Sequence, residues 1–352
     1  MNRVFVIAEA GVNHNGNVGI AKRMIDVAKE AGADAIKFQT FQAEKLVTAT
    51  ARKADYQIDM TGSHETQLEM LRRLQLGSDD FVELFRYCCD REIIFMSTPF
   101  DEESADMLDM LGMEIFKIPS GEITNKPLIE HVAKKGKPLI LSTGMSSLEE
   151  VKKAVSWIKA VRKKVVSRFE PLPHPFSSLP VLLHCVSSYP AVFEELNLKA
   201  MKTMGDVFRL PVGFSDHSPG IEASIAAVAL GASVIEKHFT LDKGMEGPDH
   251  SSSLDLEELK ELIRTIRNIE VALGDGTKRP VKSEMGTRAF VRKSIVATKD
   301  IKSGEKIRLD NIGIKRPGTG ISPEYRDRVA GMVAVRPIAA DSVIAWEDVK
   351  DA

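Results

Sequence analysis

Eight short apolar runs punctuate the first two-thirds of the chain, and each ends in polar residues. They are VFVIAE (4–9), AIKFQ (35–39), IIFMST (93–98), IFKIPSGE (115–122), PLILST (138–143), PVLLHC (180–185), PVGFSDH (211–217) and SVIEKH (233–238). The runs are continuous rather than alternating, which is the pattern of strands buried on both faces in a parallel sheet. Between them lie segments of helical period. In 19–32 the apolar positions Ile20, Met24, Ile25, Val27 and Ala28 share one face, and Gly32 stands at the C-terminal end. Residues 146–161 open on Ser146 or Ser147, with Glu149 or Glu150 near the third helical position. A further helix follows the eighth run, with Asp255 as its N-cap.

Eight repeats of strand and helix predict a (β/α)₈ barrel over residues 1–273. Residues 274–288 lack apolar periodicity and read as a linker. Residues 289–352 carry short strand-like runs. One strand–turn–strand pattern has its turn at Lys302, Ser303, Gly304 and Glu305, and 333–349 resembles another strand pair. This predicts a small β-rich domain that needs a packing surface. Two segments interrupt the alternation. Residues 42–78 are long and polar, and read either as a lid over the barrel mouth or as a surface excursion. Residues 159–180 are basic and then Pro-rich, and read as a solvated helix end and an exposed loop.

Composition narrows the classes. The 352 residues carry a formal net charge of −2, which gives no global case for nucleic acid or an anionic membrane surface. No stretch reaches the roughly 18 apolar residues of a membrane helix. Glu9 interrupts the first apolar run too early for a signal peptide. Three cysteines without framework spacing predict free thiols and a cytoplasmic location.

Barrel enzymes place their chemistry at the C-terminal ends of the strands. The polar tails therefore form one candidate set: Glu9, Lys37, Gln39, Thr98, Lys117, Ser120, Glu122, Ser142, His217 and His238. His217 and His238 close consecutive strands, which lie about 4.8 Å apart in a sheet. Two imidazoles so placed suit a divalent metal, with Glu9 or Asp249 available to complete the shell. Asp216 and Glu236 beside them read as ligands, as supports of ligands or as ordinary strand-end residues. Lys37 and Lys117, with the hydroxyls of Thr98, Ser120 and Ser142, suit a phosphate or phosphate ester. The alternatives are ion pairs of each lysine with Glu9 or Glu122, or a Schiff base on one lysine. Glu122 reads as an acid or base near the anion, or as a loop carboxylate. Outside enzymes, a sugar- or ice-binding protein using the C-terminal domain is the rival reading.

At these residues the chain resembles the sialic acid synthase family. The matching segments run in order: IAEAGVNHNG (7–16), IKFQT (36–40), STPF (97–100), KIPSGE (117–122), LSTGM (141–145), LHC (183–185), GFSDH (213–217), IEKHFT (235–240) and GPDH (247–250). KRPGTG (315–320) resembles the antifreeze-like (SAF) domain of these synthases. The resemblance implies condensation of phosphoenolpyruvate with an N-acylated amino-sugar aldehyde and water, with release of phosphate by C–O cleavage. It implies that Lys37, Thr98, Lys117, Ser120, Ser142 and Ser187 hold phosphoenolpyruvate, although Ser187 stands where some members have Asn. It implies Glu122, Glu9 and Gln39 as catalytic residues, and Tyr189, Ser215, Asp249 and Arg316 on the sugar side. His217 and His238 match the ligands of a divalent metal, Mn²⁺ first, with Mg²⁺ or Co²⁺ as alternatives. Arg316 matches an arginine contributed by the other subunit, which implies a domain-swapped homodimer. The first expectation for the sugar is N-acetylmannosamine, giving N-acetylneuraminate. The alternative is a 2,4-diacetamido-2,4,6-trideoxy hexose, giving N,N'-diacetyllegionaminate or pseudaminate.

Overall fold

All eight apolar runs form strands in the computed structural model, which describes residues 3–62, 64–164, 176 and 180–352. They are β1 (Phe5–Gly11), β2 (Ala35–Thr40), β3 (Ile94–Pro99), β4 (Phe116–Ile118), β5 (Leu139–Ser142), β6 (Val181–His184), β7 (Val212–Asp216) and β8 (Val234–His238). The ladder order is β3-β2-β1-β8-β7-β6-β5-β4, with every pairing parallel. β3 and β4, its two ends, lie against each other and complete a (β/α)₈ barrel.

Alternation along the strands explains what the barrel holds. Ile7, Ala35, Met96, Ile115, Ile140, Val181, Leu183 and Val234 form the apolar filling of its interior. The next residues of the same parity, toward the strand C-termini, are Glu9, Lys37, Thr98, Lys117, Ser142 and Glu236. Two residues along a strand restore the same face. The interior therefore turns from hydrocarbon to charge in a single step. The opposite parity, including Val6, Ala8, Ile36, Phe38, Phe95, Phe116, Leu141, Phe214 and Ile235, belongs to the core shared with the helices.

Local signals set the helix ends. Asn17 accepts from Ile20 N at the start of Val18–Ala31, and Gly32 (φ 86°) closes it. Ser147 caps Leu148–Arg162 in a reciprocal box with Glu150, and Asp255 does so with Glu258 on Leu256–Leu273.

The 42–78 insertion folds into three short helices, Ala43–Leu46, Asp55–Thr61 and Gln67–Leu74. Met70, Leu71 and Leu74 pack with Val12, Phe41 and Ala43 at the ends of β1 and β2, so its last helix is anchored by its own apolar stripe. The exposed loop expected within 159–180 falls largely on 165–175 and 177–179, outside the described residues.

Two units divide at Asp275: Met1–Asp275 and Gly276–Ala352. The segment read as linker, 274–288, contains the start of a helix, Lys282–Val291. None of that helix's residues is buried, so no apolar stripe marked it in the sequence. In the second unit β9 (Ser294–Ala297) pairs antiparallel with β10 (Ile312–Lys315), and β11 (Val333–Ala334) with β12 (Val349–Lys350). The turn at Lys302 to Glu305 forms, with Glu305 N bonded to Lys302 O at 3.0 Å. The ladder partner of β9, however, is β10 rather than the segment directly after that turn. Ile295, Ile301, Ile307, Ile312, Ile321, Ile338 and Ile344 are among the residues of this unit's own core.

Candidate active site

The ends of β1, β2, β3, β4, β7 and β8 bring four buried ionisable side chains into one chain of contacts. Lys37 Nζ lies 2.7 Å from Glu9 Oε2, 2.9 Å from Thr98 Oγ1 and 3.7 Å from Glu236 Oε2. Lys117 Nζ donates to both oxygens of Glu236, at 2.7 and 3.0 Å. Ser215 Oγ donates to Glu236 Oε1 at 2.8 Å. The register explains the meeting: Glu9 stands opposite both Lys37 and His238, and Ser215 opposite Glu236.

Burial and neighbours pull these groups apart. Burial raises the Glu9 carboxyl to about 7, although Lys37 opposes the shift. Burial would raise Glu236 as well, yet Lys117 and Lys37 outweigh it and hold that carboxyl well below the usual range. Lys37 loses by burial but is held above the ordinary lysine value by Glu236 and Glu9. Lys117 is lowered by burial, which Glu236 only partly offsets. Two buried carboxylates thus occupy opposite regimes, one near neutrality and one firmly ionised.

Beside this chain stand three loop residues. Ser120, on a 3₁₀ turn after β4, and Ser187, after β6, share a hydrogen bond of 2.9 Å. Gly144, after β5, has φ +43°, and a methyl group there would lie 2.4 Å from Ser120 Cβ and 2.6 Å from Ser187 Oγ. Ser142 is buried, and its Oγ makes no hydrogen bond to the described residues. Hydroxyls and ammonium groups on this side form a donor-rich cradle suited to an anion.

On the other side, the rings of His217 and His238 have centroids 5.6 Å apart. His217 Nδ1 donates to Val186 O at 2.6 Å, which leaves Nε2 with its lone pair, 3.1 Å from Tyr189 Oη. His238 Nδ1 is buried without a hydrogen-bond partner. Burial lowers His217 to about 4, against the Val186 bond, and lowers His238 well below the ordinary value, with His217 adding to the effect. Neutral imidazoles, His238 with an unpartnered Nδ1, fit a divalent metal. Among the described residues no group of three or more His, Cys, Asp or Glu side chains stands together as a metal site, and the two imidazoles would be the ligands. Gly11 (φ +54°) gathers three groups: a methyl there would lie 3.3 Å from His238 Cε1, 3.5 Å from Gln39 Nε2 and 3.5 Å from Glu9 Oε1.

Of the expected residues, Glu122 is half-buried and its Oε2 accepts from Asn125 Nδ2 at 2.6 Å, apart from the ionisable chain. Asp249 is buried in the loop after β8, and burial raises its carboxyl to about 6. Arg316 is exposed in the second unit. The early alternatives for Asp216 and Glu236 resolve by parity. Asp216 points outward and pairs with Lys237 at 3.1 Å, whereas Glu236 points inward to the two lysines. The signal for Glu236 was its position two residues before His238.

Comparison with known proteins places the chain among sugar-acid synthases. The model of the NeuB family matches residues 24–278, and that of the SAF domain residues 292–350. The chain is 47% identical to the N,N'-diacetyllegionaminic acid synthase of Campylobacter jejuni, over 98% of this chain and 99% of that protein. It is 46% identical to the enzyme of the same name from Legionella pneumophila, over 98% and 94%. A crystal structure of the N-acetylneuraminic acid (sialic acid) synthetase of Leptospira borgpetersenii superposes with a TM-score of 0.70 at 37% identity, covering 81% of this chain and 90% of that one.

Proposed function

The chain belongs to the NeuB family, as a phosphoenolpyruvate-dependent C–C bond-forming synthase with a SAF domain, and on that premise we propose that it makes N,N'-diacetyllegionaminate. Its sugar substrate is then a 2,4-diacetamido-2,4,6-trideoxy hexose. The supporting observation is the pair of legionaminic acid synthases at 47% and 46% identity, against 37% for the sialic acid synthetase. N-acetylmannosamine, first on sequence alone, becomes the alternative.

In this reading Lys37, Lys117, Thr98, Ser120, Ser142 and Ser187 hold phosphoenolpyruvate on the donor-rich side. His217 and His238 would hold a divalent metal, Mn²⁺ first. The chemistry it supplies when bound is Lewis-acid polarisation of the aldehyde oxygen. Tyr189, Ser215 and Asp249 face the sugar, Gln39 acts near the metal and the sugar, and Arg316 of the partner subunit in a swapped homodimer covers the N-acyl group. Carbon 3 of phosphoenolpyruvate attacks the aldehyde carbon, and the aldehyde oxygen gains a proton. Water adds to carbon 2 of the resulting oxocarbenium and gives up a proton. The carbon 2–oxygen bond to phosphate then breaks. Glu9 and Glu122 carry the protons. Glu9 suits this because burial raises its carboxyl towards neutrality.

A panel of candidate sugars with phosphoenolpyruvate and excess Mn²⁺, read by phosphate release, tests the assignment. Turnover on the diacetamido sugar is expected. Turnover on N-acetylmannosamine with none on the diacetamido sugar would overturn it.

A further inference from the structure

Glu236 touches both halves of the site. Its carboxylate takes both available contacts to Lys117 Nζ, at 2.7 and 3.0 Å, and lies 3.7 Å from Lys37 Nζ. Its Oε1 also accepts from Ser215 Oγ at 2.8 Å, and Ser215 Oγ lies 3.4 Å from His217 Nε2. Lys37 has other company, Glu9 at 2.7 Å and Thr98 at 2.9 Å. Among the described residues Glu236 is the only carboxylate within ion-pair distance of Lys117.

A phosphate or carboxylate oxygen of a substrate seeks the same ammonium hydrogens at the same distances. Glu236 already takes two of the three N–H directions of Lys117, so an anion that needs more than one of them must displace it. A second negative charge a few ångströms from a bound polyanion is repelled strongly where water is excluded. Two buried ammonium groups, in turn, are costly without an anion beside them.

We propose that Glu236 is an internal counter-ion that fills the anion half of the site until phosphoenolpyruvate arrives, and that binding requires it to release Lys117 while it stays bonded to Ser215. This rests on the functional reading above. Glu236 thereby acts as a positioning residue with a competitive sign. It keeps the lysines charged and aligned in the resting enzyme, and it weakens every anion that cannot replace its two contacts. Once released, its carboxylate remains on the Ser215 and His217 side, which links occupancy of the anion half to the electrostatics of the metal half.

The test is calorimetric titration of the full-length, metal-free protein with phosphoenolpyruvate and separately with inorganic phosphate. It compares wild type, Glu236→Gln and Glu236→Asp, with thermal melts to confirm folding. Both variants are expected to bind both ligands more tightly, Glu236→Gln by about tenfold, on the order of 1.4 kcal/mol. A merely structural ion pair moves binding the other way or not at all, so unchanged or weaker binding in a folded variant overturns the proposal. Glu236→Asp keeps the charge but shortens the reach to Lys117, and it decides the matter if Glu236→Gln does not fold. Wild type that binds neither ligand would sink the functional reading itself. Wild type that binds phosphoenolpyruvate, with no tightening in the variants, sinks only this inference.

Discussion

Asp216 and Lys237 face each other across β7 and β8 at 3.1 Å on the outside of the barrel, each one residue before a site histidine. Both are about as buried as side chains become, at 1% exposure. Asp216 also accepts from Ser218 N, Ser218 Oγ and Ser224 Oγ, and Lys237 donates to Ser218 O. The clamp fixes the backbone where His217 and His238 turn inward. Lys237→Met leaves Asp216 buried and unpaired, so stability should fall by about 3–5 kcal/mol. Metal affinity should fall roughly 10- to 100-fold, the usual effect of disturbing a ligand's support. Thermal melts and Mn²⁺ titration followed by electron paramagnetic resonance read the two effects. An unchanged metal affinity would show that the clamp does not position the histidines.

Gly144 holds the Ser120–Ser187 contact by having no side chain. Gly144→Ala places a methyl within 2.4 Å of Ser120 Cβ at a residue with φ +43°. Overpacking of this kind costs about 1–3 kcal/mol. Because the clash falls on two hydroxyls assigned to the anion, KM for phosphoenolpyruvate should rise about tenfold or more while KM for the sugar changes little. Equal rises in both would point to a general loss of shape.

Asp249 makes a prediction about pH. Burial takes its carboxyl from an ordinary 3.8 to about 6 in the folded protein. The folded state therefore binds this proton more tightly than the unfolded state. The stability it contributes is present below pH 3.8 and is lost as pH rises through about 6. The full displacement corresponds to roughly 3 kcal/mol. Asp249→Asn should melt like wild type near pH 3.5 and higher than wild type at pH 7, while sugar KM rises. A melting difference that does not grow between those pH values contradicts the burial argument.

Glu122 and Arg316 lie in different units. If each site draws Glu122 from one subunit and Arg316 from its partner, Glu122→Ala and Arg316→Ala are both inactive alone. Mixed and allowed to exchange, they should recover up to about a quarter of wild-type activity, because one site type in the mixed dimer is intact. Exchange confirmed by mass, with no recovery, argues against the shared site.

The barrel was legible because its strands are buried on both sides and so read as unbroken apolar runs. All eight fall where the runs lie. The helix caps Ser147 and Asp255 were legible for a local reason, since each bonds within its own first turn. Facing was harder. Glu236 and Lys237 are adjacent and both polar, and only strand parity sends one to the lysines and the other to Asp216. The pairing of β9 with β10 depends on contacts across a long loop, which no local pattern encodes.

The step from apolar filling to charged ring gives each strand a reading frame of two. Shifted by one residue, β8 would turn Lys237 into the barrel and send Glu236 and His238 out among the helices. One deleted residue would thus invert the local charge and remove a site histidine together, without substituting any other side chain. Insertions in this enzyme are tolerable between strands, where 42–78 already is one, and prohibitive within them.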